Sequence, residues 1–124
     1  MADFRNLRVW QEANALSVAT ARAVERVRGV SGSILRVQLL RSTFSIQANI
    51  AEGSAKKSDR EFARYIRIAL GSCTESSNHL ILLNTLGTID NASFSSLDAR
   101  QVLVGKMLSG LERRLSAQDP AEGA

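Results

Sequence analysis

The feature that most constrains this chain is the return of apolar residues every three or four positions along almost its whole length. Leu7, Trp10, Ala13, Leu16, Ala19, Ala23 and Val27 recur in this way, which aligns them on one face of a helix with 3.6 residues per turn. Phe62, Ile66, Ala69, Cys73, Ser76, Leu80 and Leu83 alternate four and three apart, with Ser76 the one polar member. Leu97, Gln101, Val104, Leu108, Leu111 and Leu115 keep the same rhythm, broken in character only by Gln101. Between these runs, Leu35, Leu39, Ile46 and Ile50 trace one stripe, and Ile34, Val37, Leu40, Phe44, Ala48 and Ala51 trace another. The chain has a single Pro, so a common helix breaker is missing from nearly all of it. No segment sustains two-residue alternation, and aromatics make up only 5% of the residues, which argues against a sheet.

The breaks between the runs set the expected boundaries. Gly29, Ser31, Gly32 and Ser33 suit a helix stop followed by a fresh N-cap. Ser58 and Glu61 have capping-box spacing, and Gly87 ends the third run. The fourth run begins near Ser95 or Ser96. These signals predict helices over 6–28, 33–52, 58–86 and 95–116. Short connections then give an all-α, antiparallel up-down-up-down four-helix bundle. One domain spans 1–117, and the small, polar AQDPAEGA end reads as a flexible tail over 118–124. Two apolar stripes on the second helix, and consecutive Leu80, Ile81, Leu82 and Leu83 on the third, exceed what one bundle core requires. Either the surplus packs inside an irregular bundle or, as favoured here, it drives self-association into a homo-oligomer.

The stretch NIAEGSAKKSDRE at 49–61 raises the possibility of a phosphate-cradling loop. It fails on spacing. A P-loop needs two glycines with four residues between them, Lys-Ser or Lys-Thr after the second, and a strand before the first. Gly53 reads instead as the C′ residue that ends the second helix in a left-handed conformation. Asn49 and Glu52, three apart in the last helical turn, read as a polar clasp that fixes this turn. Glu52 opposes the helix dipole there, so it calls for a partner such as Arg41, Lys56, Arg60 or an amide of the next helix. The structural clasp is then Asn49, Glu52, Gly53, Ser58 and Glu61.

Chemistry of other kinds has few parts to work with. The one His, His79, stands four residues from Glu75, and there is no Glu-x-x-His pair of the kind that builds a di-iron bundle. The one Cys, Cys73, falls on an apolar stripe as a small core residue, and it excludes an internal disulfide. No catalytic constellation, metal site or cofactor is predicted, and the expected protein is not an enzyme. With no apolar run of the roughly 20 residues a membrane span needs and no signal-peptide core, the expected location is the cytoplasm, without membrane contact.

Charge is more informative. The net formal charge is +4, and two of the twelve acids, Asp119 and Glu122, lie in the tail, so the body is more basic still. Lys56, Lys57, Arg60, Arg64 and Arg67 fall within twelve positions that hold only Asp59 and Glu61 as acids. Arg60, Arg64 and Arg67 share one helical stripe, and the two lysines precede the helix start, where the dipole adds positive potential. These five residues form a candidate nucleic-acid edge for RNA or DNA phosphates. A solvated charged face, partly offset by its two acids, is the alternative.

Several stretches together resemble a known family. They are DFRNLRVWQEA at 3–13, QLLRS at 38–42, SIQANIAEGSAKKSDREFARYIRIALGS at 45–72, and the apolar helix that follows. They resemble the four-helix-bundle proteins encoded in intervening sequences of bacterial 23S ribosomal RNA genes, and related free-standing bacterial proteins. The chain departs from the family pattern at Gln47, where members often carry Pro, and at Ser54-Ala55, where an aromatic-Gly pair is common. It departs again at Ser76-Ser77-Asn78, where Glu and Leu are usual. The resemblance implies a left-handed antiparallel bundle that assembles into a ring, typically a homopentamer, without enzymatic activity. A related accessory protein of diversity-generating retroelements binds a reverse transcriptase and nucleic acid. The implied partners are therefore further copies of the chain, RNA or DNA, or a nucleic-acid enzyme such as a reverse transcriptase.

Overall fold

The computed structural model describes residues 3–117, so the expected tail over 118–124 lies outside the described residues. A short 3-10 turn at Phe4–Asn6 precedes four helices: α1 Arg8–Ala23, α2 Val30–Ser54, α3 Asp59–Thr85 and α4 Asn91–Ala117. No strand occurs among the described residues. Each helix packs on its neighbours in the chain and α1 closes on α4, while the diagonal pairs α1–α3 and α2–α4 make no close approach. That pattern is a four-helix bundle.

Helix ends differ from the expected ones where capping chemistry overrides the apolar rhythm. The α1 helix ends at Ala23 rather than 28, yet Val24 and Val27 remain buried in the turn that follows. Arg36 Nη1 reaches back from α2 to donate to the carbonyls of Glu25 (3.4 Å) and Val27 (3.2 Å), so these groups keep partners without a helix. Gly29, at φ 84°, is the N-cap of α2, and Ser33 lies one turn inside, its N–H donating to Gly29 O. The α3 start is at the expected cap: Glu61 N donates to Ser58 Oγ at 3.1 Å. At its other end Gly87 sits at φ 74°; its N–H donates to Asn84 O and that of Thr88 to Leu83 O, the paired bonds of a Schellman ending. The α4 helix begins at Asn91, four residues before Ser95, because Asp90 Oδ1 accepts from Ser93 N at 2.6 Å and supplies the cap first.

The core is split in two. Nearer the α1 start, Ala13, Leu16, Ile46, Ile50, Ile66, Val104 and Leu108 belong to one buried cluster. Nearer the α1 end, Val24, Leu39, Leu80, Leu83 and Leu97 belong to the other. Each fully buried aliphatic side chain contributes about 1.5–3 kcal/mol. Between the clusters lie Thr20, Thr43, Ser76 and Gln101, one from each helix and none more than 3% exposed. Gln101 Nε2 donates to Ser76 Oγ (2.6 Å), and Ser76 Oγ and Thr43 Oγ1 share a hydrogen bond of 2.7 Å. Thr43 Oγ1 also donates to Leu39 O, and Thr20 Oγ1 to Leu16 O. The two polar interruptions in the α3 and α4 rhythms therefore meet.

The two stripes of α2 have separate fates. Leu35, Leu39, Ile46 and Ile50 are buried, whereas Ile34, Val37 and Phe44 are 58%, 51% and 45% exposed. Ile81 and Leu82 of α3, and Leu86 at its C-cap, are also exposed. The surplus apolar residues are thus left on the outside of the single chain.

Candidate nucleic-acid interface

The up-down-up-down path brings the α1 start, the α2 end, the α3 start and the α4 end to one end of the bundle. All five cations of the predicted edge lie there. Arg60, Arg64 and Arg67 are exposed along one stripe of α3, Lys57 is exposed in the turn before it, and Lys56 is half-buried. Tyr65 organises two of them: Lys56 Nζ lies 5.2 Å and Arg64 Cζ 4.7 Å from the centre of its ring. At exposed sites such contacts are worth about 0.5–1 kcal/mol each. They restrain the two side chains without neutralising them.

Arg67 differs from its stripe-mates. Its Nη1 donates to Glu112 Oε1 of α4 at 3.0 Å, and the Ser116 hydroxyl donates to the same oxygen at 2.8 Å. The Ser116 bond first, and then Arg67, hold the Glu112 carboxyl below its usual range. An exposed ion pair is worth about 0–1 kcal/mol, so Arg67 can exchange partners. A phosphate approaching it nevertheless meets the Glu112 charge.

The turn at 49–61 is not built as the spacing predicts. Gly53 is helical and buried inside α2, and the positive φ values among the described residues belong to Gly29 and Gly87. Glycine is required at 53 by packing: a methyl placed there would lie 2.6 Å from Tyr65 Cβ and 3.0 Å from Phe62 Cδ1. Asn49 turns back along its own helix, its Nδ2 donating to Ser45 O (2.8 Å) and Ser45 Oγ (3.0 Å), and Ser45 Oγ bonds Ser72 Oγ of α3 at 2.9 Å. Glu52 Oε1 accepts from the Tyr65 hydroxyl at 3.4 Å rather than joining Asn49. Of the predicted clasp, Ser58 with the Glu61 amide closes the α3 start, Glu52 and Gly53 meet α3 separately at Tyr65, and Asn49 stays on α2, bonded to Ser45. Tyr65, which the charge pattern passes over, links Glu52, Lys56 and Arg64.

Further cations gather beside this edge without any signal in the linear charge pattern. Arg8, Lys106 and Arg114 line a cleft of about 330 Å³ between α1 and α4. A larger groove of about 570 Å³ between α1 and α2 is mainly apolar, walled by Phe4, Trp10, Val18 and Phe44. Gln47 Nε2 donates to Asn14 Oδ1 beside it at 3.1 Å, and α2 runs through Gln47 without interruption. The groups weighed for metal or nucleophilic chemistry are Cys73, Glu75 and His79. Cys73 is buried, its thiol pushed up by desolvation, and His79 Nε2 lies 3.5 Å from Glu75 Oε1. Among the described residues no three His, Cys, Asp or Glu side chains could share a metal ion, and no helix is long and apolar enough to cross a membrane.

The model of the family described as 23S rRNA-intervening sequence protein matches residues 5–110, which takes in the basic edge and most of all four helices. The chain belongs to this family. Among solved structures, it is similar to a Bacteroides thetaiotaomicron protein of unknown function from the S23 ribosomal protein family. The TM-score is 0.77 at 24% identity, over 84% of this chain and 97% of the other. At that identity the likeness speaks for the fold. No curated protein matches the chain. Membership of the family places the 45–72 stretch, and with it the basic edge, inside the part of the chain that its relatives share.

Proposed function

We propose that this 23S rRNA-intervening sequence family protein is a non-enzymatic, ring-forming helical bundle of the cytoplasm that binds RNA or DNA through basic faces. The observation that carries this reading is the exposed stripe of Arg60, Arg64 and Arg67, with Lys57 beyond it, at a bundle end where Lys106, Arg113 and Arg114 also gather. Cations in such a row suit phosphates spaced along a strand and position it without reading bases. Repetition around a ring would multiply weak edges into useful avidity. The exposed Ile34, Val37 and Phe44 of α2, Ile81 and Leu82 of α3, and Leu86 at the α3 C-cap supply apolar area for contacts between copies.

The same apolar surface favours a second reading, an accessory subunit or scaffold for another protein, such as a reverse transcriptase, with no direct nucleic-acid contact. One set of measurements separates them. Light scattering should give a mass of several chains, and anisotropy titrations with RNA and DNA should show affinity that falls steeply with salt. Each phosphate contact contributes about 0.7–0.9 to the slope of log affinity against log salt. Combining Arg60→Ala, Arg64→Ala and Arg67→Ala should lower that slope by roughly 2, with Arg67 contributing least. A monomer would remove the ring and weaken both readings, and no binding at low salt, or a triple variant with an unchanged slope, would remove the nucleic-acid reading. A partner retained after nuclease treatment would then support the scaffold.

A further inference from the structure

The cations in the cleft between α1 and α4 converge without a counter-charge among the described residues. Lys106, Gly110 and Arg114 follow at four-residue intervals, so they share a face of α4 and leave a notch between two cations. A methyl placed on Gly110 would lie 3.5 Å from Arg114 Nη1 and 3.9 Å from Arg113 Nη2, so two guanidinium groups come to that notch. Arg8 lines the cleft from the start of α1, where Leu7 gives no side-chain cap and the first turn has no acid. The first-turn amides therefore keep their positive potential. No Asp or Glu among the described residues lines the cleft. Among the described residues Arg8, Lys106 and Arg114 have no ion-pair partner. Like charges gathered in a concavity repel, and an anion among them converts that repulsion into attraction. The rest of the lining is apolar, with Leu7, Met107 and Leu111 half-buried beside Val9.

We propose that this cleft binds a phosphate monoester. The phosphate sits among Arg8, Lys106 and Arg114, and the organic part lies on Leu7, Met107 and Leu111. A monoester carries about −1.5 to −2 charge at neutral pH and three acceptor oxygens. It suits three cations, two of them planar guanidinium forks, better than a carboxylate does. The apolar floor favours an ester over inorganic phosphate, and about 330 Å³ accommodates a small ligand. The phosphate can come from the end of a nucleic-acid strand or from a small phosphorylated compound. The site is separate from the α3 edge and stands whether or not that edge binds nucleic acid.

Calorimetry on the full chain tests this with phenyl phosphate, inorganic phosphate, and one short oligonucleotide bearing either a 5′-phosphate or a 5′-hydroxyl. Phenyl phosphate should bind more tightly than inorganic phosphate. Lys106→Ala with Arg114→Ala should weaken it about tenfold or more. Gly110→Leu, which keeps every charge and favours the helix, should also weaken it by filling the notch. Arg60→Ala with Arg64→Ala should leave it unchanged, so a failure of the α3 edge stays distinguishable. A preference of several fold for the 5′-phosphate strand assigns the source to nucleic-acid ends, and equal binding of the two strands assigns it to small compounds. The proposal falls if phenyl phosphate gives no binding at millimolar concentration. It falls equally if affinity survives both the double variant and Gly110→Leu while thermal melts show them folded.

Discussion

Gly53 brings the α2 backbone against the root of Tyr65, and its requirement for glycine is steric. Alanine there gains up to about 1 kcal/mol in helix propensity. It also places a methyl 2.6 Å from Tyr65 Cβ, an atom that the α3 backbone fixes and no rotamer change can move aside. Such overpacking typically costs about 1–3 kcal/mol, so the clash wins. Gly53→Ala is expected to lower the melting temperature by several degrees. Gly71 is the internal control, since it is also helical and nothing lies within 4 Å of a methyl placed on it. Gly71→Ala should raise stability by up to about 1 kcal/mol. Equal responses in thermal melts would show that packing does not select glycine at 53. The sequence marks Gly53 as special but suggests a left-handed helix end, because spacing along one chain cannot distinguish a turn from close contact with another helix.

Helix identity and helix ends were not equally legible. The apolar rhythm reveals four helices because burial of one face repeats with the helical period. The ends depend on single hydrogen bonds, and several serines compete with Asp90 to start α4. Asp90 prevails by accepting from Ser93 N, a bond that also holds its carboxyl below the usual carboxylate range. A carboxyl depressed in the folded state adds stability above its unfolded value of about 3.9, and that stability disappears as pH falls through the lower folded value. Asp90→Ala should therefore melt earlier than the parent at pH 7, and the difference should narrow as pH falls below about 4. A difference that stays constant across this window would mean that the charged carboxylate is not the cap. The basic edge on α3 was legible for the same reason as the helices, since its cations share one stripe. Arg8, Lys106 and Arg114 were not, because their meeting depends on how α1 and α4 lie side by side.

Across the whole bundle, the layer of Thr20, Thr43, Ser76 and Gln101 divides one apolar core into two. Ser76 and Gln101 stand out in the sequence as polar residues on apolar stripes, but only the axial alignment of α3 with α4 sets them face to face. A slide of one helix by a single turn would part Gln101 from Ser76 and bury both groups among aliphatic side chains, at about 1–3 kcal/mol per orphaned group. The layer thus penalises wrong alignments more than it adds to the right one. Ser76→Ala tests this, since it removes the hydroxyl that accepts from Gln101 Nε2 and bonds Thr43 Oγ1. The Gln101 amide, 3% exposed, is left buried without that partner. The expected loss in urea denaturation is about 1–3 kcal/mol. Adding Gln101→Met, which replaces the stranded amide with a flexible apolar chain, should recover part of it, so the two substitutions together cost less than their sum. Additive losses would show that the two residues contribute independently and that alignment is set by the apolar clusters on either side.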